Sequence, residues 1–194
     1  TLLNPPCEVV ILDNVSKGEV WDVNVTAKFY ATSPDLCVGG YNAKLGGCEP
    51  PNVDGINAAG GSQDIWIHDL YIESGDDAVV MKQSKPGQAC TRNVLVENVY
   101  MINNYGAAVG SISEGCVENV LYRNLSMTNV GCGCWIKATN GTDPNSYVRN
   151  VTFEDIEIVG TRQATSCGAV SVSQLYYEVD VQYVGPYTVA VDDI

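Results

Sequence analysis

Apolar residues recur along the chain in four nine-residue segments that can be laid over one another. The segments are 64–72, 93–101, 119–127 and 150–158, and their starting points are 29, 26 and 31 residues apart. Each segment has apolar residues at its second, fourth, seventh and ninth positions and Asp or Asn at its sixth. This pattern predicts two short strands of period-2 alternation, separated by a break in phase.

The Asp or Asn at the sixth position indicates a sharp bend, because both residues tolerate the left-handed backbone conformation. A strand-based repeat of this length is typical of a solenoid. We therefore expect an all-β fold, a right-handed single-stranded parallel β-helix with coils stacked about 4.8 Å apart. An up-and-down sandwich is the alternative, but it would not keep Asn or Asp in register across four copies.

The repeat also predicts which individual positions face solvent. His68, the only histidine, occupies the fifth position, which is Glu97, Arg123 and Glu154 in the other segments. A position that accepts either charge sign is expected to face solvent. The repeat therefore predicts that His68 is a surface residue and not a catalyst.

Residues that follow the segments at equal distances should stack on adjacent coils. Asp76 and Tyr105 each lie four residues after the end of a segment, so they should share one strip of surface. Lys82, Ser111 and Lys137 each lie ten residues after a segment and should form a second strip, with two cations.

Three carboxylates are candidates for chemistry. Asp76 and Asp77 are adjacent in a Gly-Asp-Asp sequence at the start of an apolar run, and Asp54 lies one coil earlier. Clustered carboxylates repel, so one tends to hold a proton while its neighbours stay ionised. Acid/base cleavage of a glycosidic bond needs that division of roles. A lone Gly-Asp-Asp is usually a solvated turn, but this one lies within a structural repeat, which favours a site.

Composition limits the classes of function. With 194 residues, 45% of them hydrophobic, the chain can bury one elongated core, so 1–194 is predicted to be a single domain and a monomer. No run of 18 apolar residues is present, which argues against a membrane span. A net charge of −13 argues against nucleic acid as a partner. It also gives no long-range attraction for an acidic polysaccharide, which local cations such as Lys82 and Lys137 would have to hold.

Cysteines and sequons indicate an extracellular protein. Eight cysteines without paired metal-binding motifs favour disulfides over zinc, and Cys132-Gly133-Cys134 lacks a second ligand pair, so we predict no metal and no cofactor. Five N-glycosylation sequons favour secretion; they begin at Asn14, Asn24, Asn124, Asn140 and Asn150. The chain starts at Thr1 without an initiator methionine or signal peptide, and its first residues already resemble a coil in progress. We therefore expect a fragment of a longer β-helix.

Three ordered motifs resemble those of glycoside hydrolase family 28; they are Asn52-Val53-Asp54-Gly55-Ile56-Asn57, Gly75-Asp76-Asp77-Ala78-Val79-Val80-Met81-Lys82 and Trp135-Ile136-Lys137. The resemblance covers roughly 2–161. It implies a right-handed parallel β-helix that cleaves pectin with inversion of the anomeric centre. It also implies that Asp76 is the general acid, that Asp54 and Asp77 activate water, and that Lys137 binds a substrate carboxylate. We add Lys82, Tyr105 and Trp135 as candidate substrate-binding residues.

Two departures refine the expected substrate. Polygalacturonases of this family carry Gly-His-Gly where this chain reads 104–111 without histidine, and Arg-Ile-Lys where it reads Trp135-Ile136-Lys137. Tryptophan cannot supply the bidentate carboxylate recognition of arginine. Rhamnogalacturonan hydrolases of the family also lack the histidine and are similar at 65–69 and 108–111. We therefore expect hydrolysis of α-glycosidic bonds in a pectic polysaccharide, in rhamnogalacturonan more than in polygalacturonate. Trp135 would either stack on a sugar ring or lie buried under the groove.

Inversion sets a geometric expectation: the carboxyl groups should be roughly 6.5–9.5 Å apart, with room for water between them. Asp76 and Asp77 can converge only where the backbone bends, which Gly75 would permit.

Two other functions stay open. In a calcium-dependent pectin or pectate lyase, the three aspartates would bind the ion and Lys137 would abstract a proton. The second alternative is an inactive carbohydrate-binding β-helix. It gives no reason for three mutually repelling carboxylates to lie together.

Overall fold

The computed structural model describes residues 1–3, 8–27, 41–42, 47–48, 53–85, 87–141, 143–161, 168–174, 187–188 and 190–194, and contains no helix within these ranges. Asn52 of the first motif lies outside them. The strands, in chain order, are β1 Leu2–Leu3, β2 Val10–Asp13, β3 Ser16–Trp21, β4 Asn24–Thr26, β5 Tyr41–Asn42, β6 Gly47–Cys48, β7 Ile56–Ala59, β8 Gln63–Glu73, β9 Val79–Met81, β10 Thr91–Ile102, β11 Ala107–Ile112, β12 Cys116–Val130, β13 Cys134–Ala138, β14 Asn140–Gly141, β15 Tyr147–Thr161, β16 Val170–Ser173, β17 Tyr187–Thr188 and β18 Ala190–Asp192.

Two parallel sheets form the fold. Sheet A has the strand order β1-β4-β8-β10-β12-β15-β18, with β3 also paired to β8, and sheet B has the order β16-β13-β11-β9-β7-β2. From β8 to β13 the chain passes alternately from one sheet to the other, and each strand pairs in parallel with the equivalent strand one coil away. This is the predicted parallel β-helix, and a right-handed crossover is the rule for such connections.

The four nine-residue segments lie in exact register in sheet A, as the repeat predicts. Val94 pairs with Ile65 on one side and with Val120 on the other, and Val120 pairs with Val151. The apolar positions of the first three segments point inward and are buried. The hydrophobic core is therefore a column of stacked side chains that runs along the axis of the solenoid.

The predicted bends are also present. Asp69, Asn98, Asn124 and Asp155, the sixth residues of the segments, have φ between 51° and 57°. Their side chains stack from coil to coil, since Asn98 Nδ2 donates to Asp69 Oδ1 at 3.1 Å and Asn124 Nδ2 donates to Asn98 Oδ1 at 2.7 Å. Asn thus serves both the left-handed backbone and a hydrogen-bonded ladder, and glycine could serve only the first.

His68 lies on the outward side of sheet A, but the prediction that it is exposed is wrong. Only 8% of the residue is accessible to solvent. The ring stacks on Trp66 with centroids 3.8 Å apart, and its nitrogens lie 2.7 Å from Asp69 and 3.1 Å from Glu19. Burial lowers the pKa of His68, but these two carboxylates outweigh it and the net pKa is raised. Neighbouring side chains on the same face cover the ring, which the alternation of charge signs could not reveal.

Disulfide bonding is confirmed where the structure describes cysteines. Cys90 and Cys116 form a disulfide between the starts of adjacent coils, Cys132 is also disulfide-bonded, and Cys134 is a buried thiol. Within the described residues, no helix is long and apolar enough to cross a membrane. Of the sequon asparagines, Asn140 is half-buried and the other four are exposed; their glycosylation stays a prediction.

Candidate active site

The three candidate carboxylates meet at the corner where the chain leaves sheet A for sheet B. Asp76 and Asp77 lie between β8 and β9, and Asp54 precedes β7 on the neighbouring coil. Backbone hydrogen bonds join the two coils here: Gly55 N donates to the Asp77 carbonyl at 2.9 Å, and Asp76 N donates to the Val53 carbonyl at 3.3 Å. Asp54, Asp76 and Asp77 each offer one oxygen, and these oxygens lie within 4.8 Å of one another. This spacing is shorter than the 6.5–9.5 Å range that inversion led us to expect.

The corner that carries Asp76 and Asp77 is one residue longer than the corner of the next coil. Six residues, 73–78, lie between Ile72 and Val79, whereas five, 102–106, lie between the paired residues Met101 and Ala107 of the next coil. The surplus residue is accommodated in a bend over 75–78, and Asp77 N donates to Asp76 Oδ1 at 2.9 Å. The bend is as expected, but Gly75 is not among the residues of positive φ, so its glycine freedom is not what permits the bend.

Gly55 fixes Asp54 against the same corner. A Cβ at Gly55 would collide with the carbonyl oxygen of Ala78 and would lie 2.8 Å from Ile72 Cγ2. Only glycine allows the two coils to approach this closely beside the carboxylates. The Asp-Gly pair of the first motif is therefore a packing requirement as well as a chemical one.

Two lysines neutralise two of the carboxylates. Lys82 Nζ lies 3.1 Å from Asp54 Oδ2 and 4.0 Å from Asp77 Oδ2, and Lys137 Nζ lies 2.5 Å from Asp77 Oδ2. The spacing of the three aspartate oxygens would suit a metal ion, but ammonium groups already engage Asp54 and Asp77. The positive charge at this cluster thus comes from the chain itself.

The predicted strip of cations is confirmed, with one correction. Met81 pairs with Val109 and Gly110 pairs with Lys137, so the residue between the two lysines is Gly110 and not Ser111. The prediction for Ser111 is wrong because the corner before β11 is one residue shorter than the corners before β9 and β13. Gly110 adds no side chain between the positions of the two lysines.

Burial dominates the electrostatics of the acids. It raises the pKa of Asp77 to about 6, although the positive charge of Lys137 acts in the opposite direction. Burial and then the negative charge of Asp54 raise the pKa of Asp76. The Oδ1 atom of Asp77 is buried and has no hydrogen-bond partner among the residues that the structure describes. This oxygen is therefore suited to hold a proton or to accept a hydrogen bond from water.

Next to the carboxylates, outward positions of sheet B form a buried apolar layer, which we call the floor. Val80, Ala108 and Trp135 pair in register across β9, β11 and β13, and they pack with Cys132 under the ring of Tyr105. Trp135 is 8% exposed. The buried alternative for Trp135 is the one that the structure supports, because the ring is part of the floor and not an open stacking face.

Tyr105 and Lys137 complete this floor. Tyr105 N donates to the Asp76 carbonyl at 3.0 Å, which confirms that the two residues stack on adjacent coils. The rings of Tyr105 and Trp135 have centroids 6.3 Å apart. Lys137 Nζ lies 4.6 Å from the centroid of the Trp135 ring, so the lysine is held between an aromatic face and a carboxylate.

Asn57 was missed by the sequence ranking. It is 2% exposed and pairs in register with Val80 of the floor, and its Oδ1 has no hydrogen-bond partner in the described part of the chain. The available signal was a polar residue at an outward position of β7, three residues after Asp54. An unpartnered buried amide oxygen beside the floor is suited to accept a hydrogen bond from a hydroxyl group.

Comparison with known proteins gives one family. The family model for glycosyl hydrolases family 28 matches residues 1–194. Probable rhamnogalacturonase C of Aspergillus flavus is 29% identical over 159 residues, which is 81% of this chain and 29% of that protein. Rhamnogalacturonase A of Emericella nidulans is 31% identical over 151 residues, 76% of this chain and 28% of that protein. The chain thus spans less than a third of the length of these curated relatives.

A solved structure shows the same fold. The endo-xylogalacturonan hydrolase from Aspergillus tubingensis matches with a TM-score of 0.65 at 16% identity, over 99% of this chain and 56% of that chain.

Proposed function

The chain belongs to glycosyl hydrolases family 28, and from this premise we propose that the protein hydrolyses α-glycosidic bonds in a pectic polysaccharide. The observation that carries the proposal is the cluster of Asp54, Asp76 and Asp77, whose oxygens lie within 4.8 Å of one another. Three acids in one place with unequal environments provide the acid and the base that glycoside cleavage requires.

The environments assign the roles. Asp54 and Asp77 are buried and each pairs with a lysine, an arrangement suited to orient water. Asp76 is more exposed, its pKa is raised, and it has no ion pair within the described residues, so it is suited to protonate the leaving oxygen. A water molecule that donates two hydrogen bonds of ~2.8 Å bridges oxygens ~4.4 Å apart, a separation compatible with the 4.8 Å limit on the aspartate oxygens.

Inversion at the anomeric carbon is part of the proposal and comes from the family resemblance. The spacing of the carboxylates is nearer to the ~5–5.5 Å usual for retaining enzymes than to the range for inverting ones. Proton NMR in the first minutes of hydrolysis separates the two outcomes. Inversion of an α-linkage gives the β-anomer first, and initial release of the α-anomer would contradict it.

The proposed substrate is of the rhamnogalacturonan type. Two of the relatives are named as rhamnogalacturonases. The floor offers Trp135 where polygalacturonases have arginine, so bidentate recognition of a galacturonate is not available there. Secretion, N-glycosylation and a substrate-carboxylate role for Lys137 stay predictions.

The function is tested with the full-length protein and two substrates, rhamnogalacturonan and polygalacturonate, by assay of new reducing ends. We expect faster cleavage of rhamnogalacturonan. Cleavage of neither substrate with measurable binding would instead indicate a carbohydrate-binding domain. Products with a new ultraviolet-absorbing double bond, lost on addition of a chelator, would indicate a lyase.

Asp76→Asn is the decisive variant. It should lower kcat by roughly 10²–10⁴-fold, the usual contribution of a general acid, and leave the thermal unfolding midpoint near the wild-type value. Asp64→Asn is the matched control, because the equivalent residues of the other coils, Asn93, Asn119 and Asn150, are asparagine in the same ladder. Loss of less than tenfold in Asp76→Asn would remove Asp76 from the mechanism.

A further inference from the structure

The ammonium group of Lys137 is enclosed on several sides. Lys137 is 5% exposed and Asp77 is 1% exposed, and the 2.5 Å bond between them is buried. The ring of Trp135 lies against the same ammonium group at 4.6 Å. An ammonium group buried without a counter-charge is strongly destabilising, so Asp77 is an important stabilising partner of Lys137.

Lys82 has the equivalent relation to the other buried acid. Its Nζ lies 3.1 Å from Asp54 Oδ2, and Asp54 is 3% exposed. The two lysines reach the cluster from β13 and from the end of β9, with Gly110 between their positions. Each buried carboxylate of the cluster therefore has one lysine of its own.

Charge balance then singles out the third acid. Three ionised carboxylates and two ammonium groups leave one net negative charge, and no ion pair of Asp76 occurs within the described residues. One proton placed on Asp76 makes the cluster neutral. The positive charge of Lys137 opposes the rise that burial causes in the pKa of Asp77, so it favours the proton on Asp76 over the proton on Asp77.

We propose that Lys137 is a positioning residue whose charge favours the ionised form of Asp77, and that Lys137 acts through Asp77 and not on a substrate carboxylate. This inference rests on the proposed hydrolase function. It replaces the role that the family resemblance implies for Lys137. It also gives Lys137 a role in a site where Trp135 takes the place of the arginine found in polygalacturonases.

Several charged or titratable groups act on Asp77 and must be considered together. Asp54 faces it from the preceding coil, Asp76 precedes it in the chain, and Lys82 and Lys137 bind or approach its Oδ2 atom. Tyr122 lies on the core side, and its hydroxyl donates to the Ala108 carbonyl. Of these groups, Lys137 makes the direct bond to Asp77, so its removal should have the largest effect.

The two possible roles of Lys137 differ in kinetics. A lysine that binds a substrate carboxylate contributes to KM, and its loss leaves the pH dependence of kcat unchanged. A lysine that holds the base ionised contributes to kcat, and its loss moves the acidic limb of the pH profile. An opposite charge within 4–6 Å lowers the pKa of a carboxyl group by about 1–3 units. Lys137→Met should therefore move the acidic limb upward by about 1–3 pH units, with KM changed less than twofold.

The kinetic experiment uses the full-length protein with its cleaved pectic substrate. Lys137→Arg keeps the charge and should keep the acidic limb within about half a unit of wild type. Lys85→Met is the control for loss of a positive charge, because Lys85 is exposed and lies outside the cluster. A rise in KM of tenfold or more in Lys137→Met, with an unchanged pH profile, would overturn the inference.

A stability cycle tests the pair without any turnover. Lys137→Met leaves Asp77 buried without its partner, so its denaturation midpoint at pH 7.5 should fall. Adding Asp77→Asn to Lys137→Met removes the buried charge and should recover most of the loss. A double variant no more stable than Lys137→Met would overturn the pairing. If the wild-type protein does not cleave the substrate, the proposed function is refuted. The pairing of Lys137 with Asp77 is tested separately, because the cycle measures folding stability.

Discussion

Replacing Asp77 with Asn should remove a pH-dependent contribution to folding whose sign is unusual for an aspartate. Burial raises the pKa of Asp77 to about 6 in the folded protein, from 3.8 as the ordinary value. The folded state therefore binds a proton more tightly than the unfolded state does. The resulting stabilisation is fully present below pH 3.8 and is lost as pH rises through about 6.

The magnitude follows from the size of the shift. A difference of about 2.2 units corresponds to about 3 kcal/mol at 1.36 kcal/mol per unit. Between pH 7.5 and pH 4.5 the wild type should gain about 2 kcal/mol of unfolding free energy relative to Asp77→Asn, most of it below pH 6. Other carboxyl groups contribute to both proteins and cancel in the difference.

The assay is urea denaturation of the two proteins at pH 4.5, 5.5, 6.5 and 7.5, with the difference in unfolding free energy plotted against pH. Asp64→Asn is the control for replacing an exposed aspartate outside the cluster, because its equivalents Asn93 and Asn119 are asparagine in the same ladder. A difference for Asp77 that is flat with pH, or that grows with rising pH, would refute the reasoning.

Two further predictions concern the scaffold. Gly55→Ala should cost about 1–3 kcal/mol of stability and lower kcat, because the new Cβ would push against the Ala78 carbonyl beside Asp54. Gly168→Ala is the control, because a Cβ there meets nothing within 4 Å. By thermal denaturation its stability should stay within about 0.5 kcal/mol of wild type. Asn98→Ala should destabilise by about 1–2 kcal/mol more than Asn98→Gly, because both lose the ladder bonds but only alanine is strained at a φ of 57°. Equal losses of stability in Asn98→Ala and Asn98→Gly would show that backbone strain at this bend does not contribute to the difference.

The sequence predicts most of the scaffold because its signals are local and repeated. The segments pair in the predicted register, and Asp69 and Asn98 adopt the left-handed conformation that their residue type tolerates. Each coil must bury the same apolar positions and make the same bend, so the pattern recurs several times in the sequence. His68 shows the limit of this argument, because its burial depends on Trp66 and Glu19, neighbours that the repeat does not encode.

The site is predicted only in part, because its details depend on contacts across coils. The three carboxylates could be identified from their motifs, but not the bond between Lys137 and Asp77, which are 60 residues apart. The burial of Trp135 and the unpartnered oxygen of Asn57 depend in the same way on packing in sheet B. Residue type gives the candidate chemistry, and only the register of the coils decides which candidates touch.

The site lies where the repeat is irregular, and this has a physical reason. A regular coil places one residue at each corner position, so two adjacent acids would point to opposite faces. A bend over 75–78 brings Asp76 and Asp77 together, and the corner before β11, one residue shorter than those before β9 and β13, places Gly110 between the two lysines. This single-residue difference in corner length leaves the core register of sheet A unchanged. A solenoid can therefore gather five charged side chains at one corner without disturbing the column of apolar residues that keeps it folded.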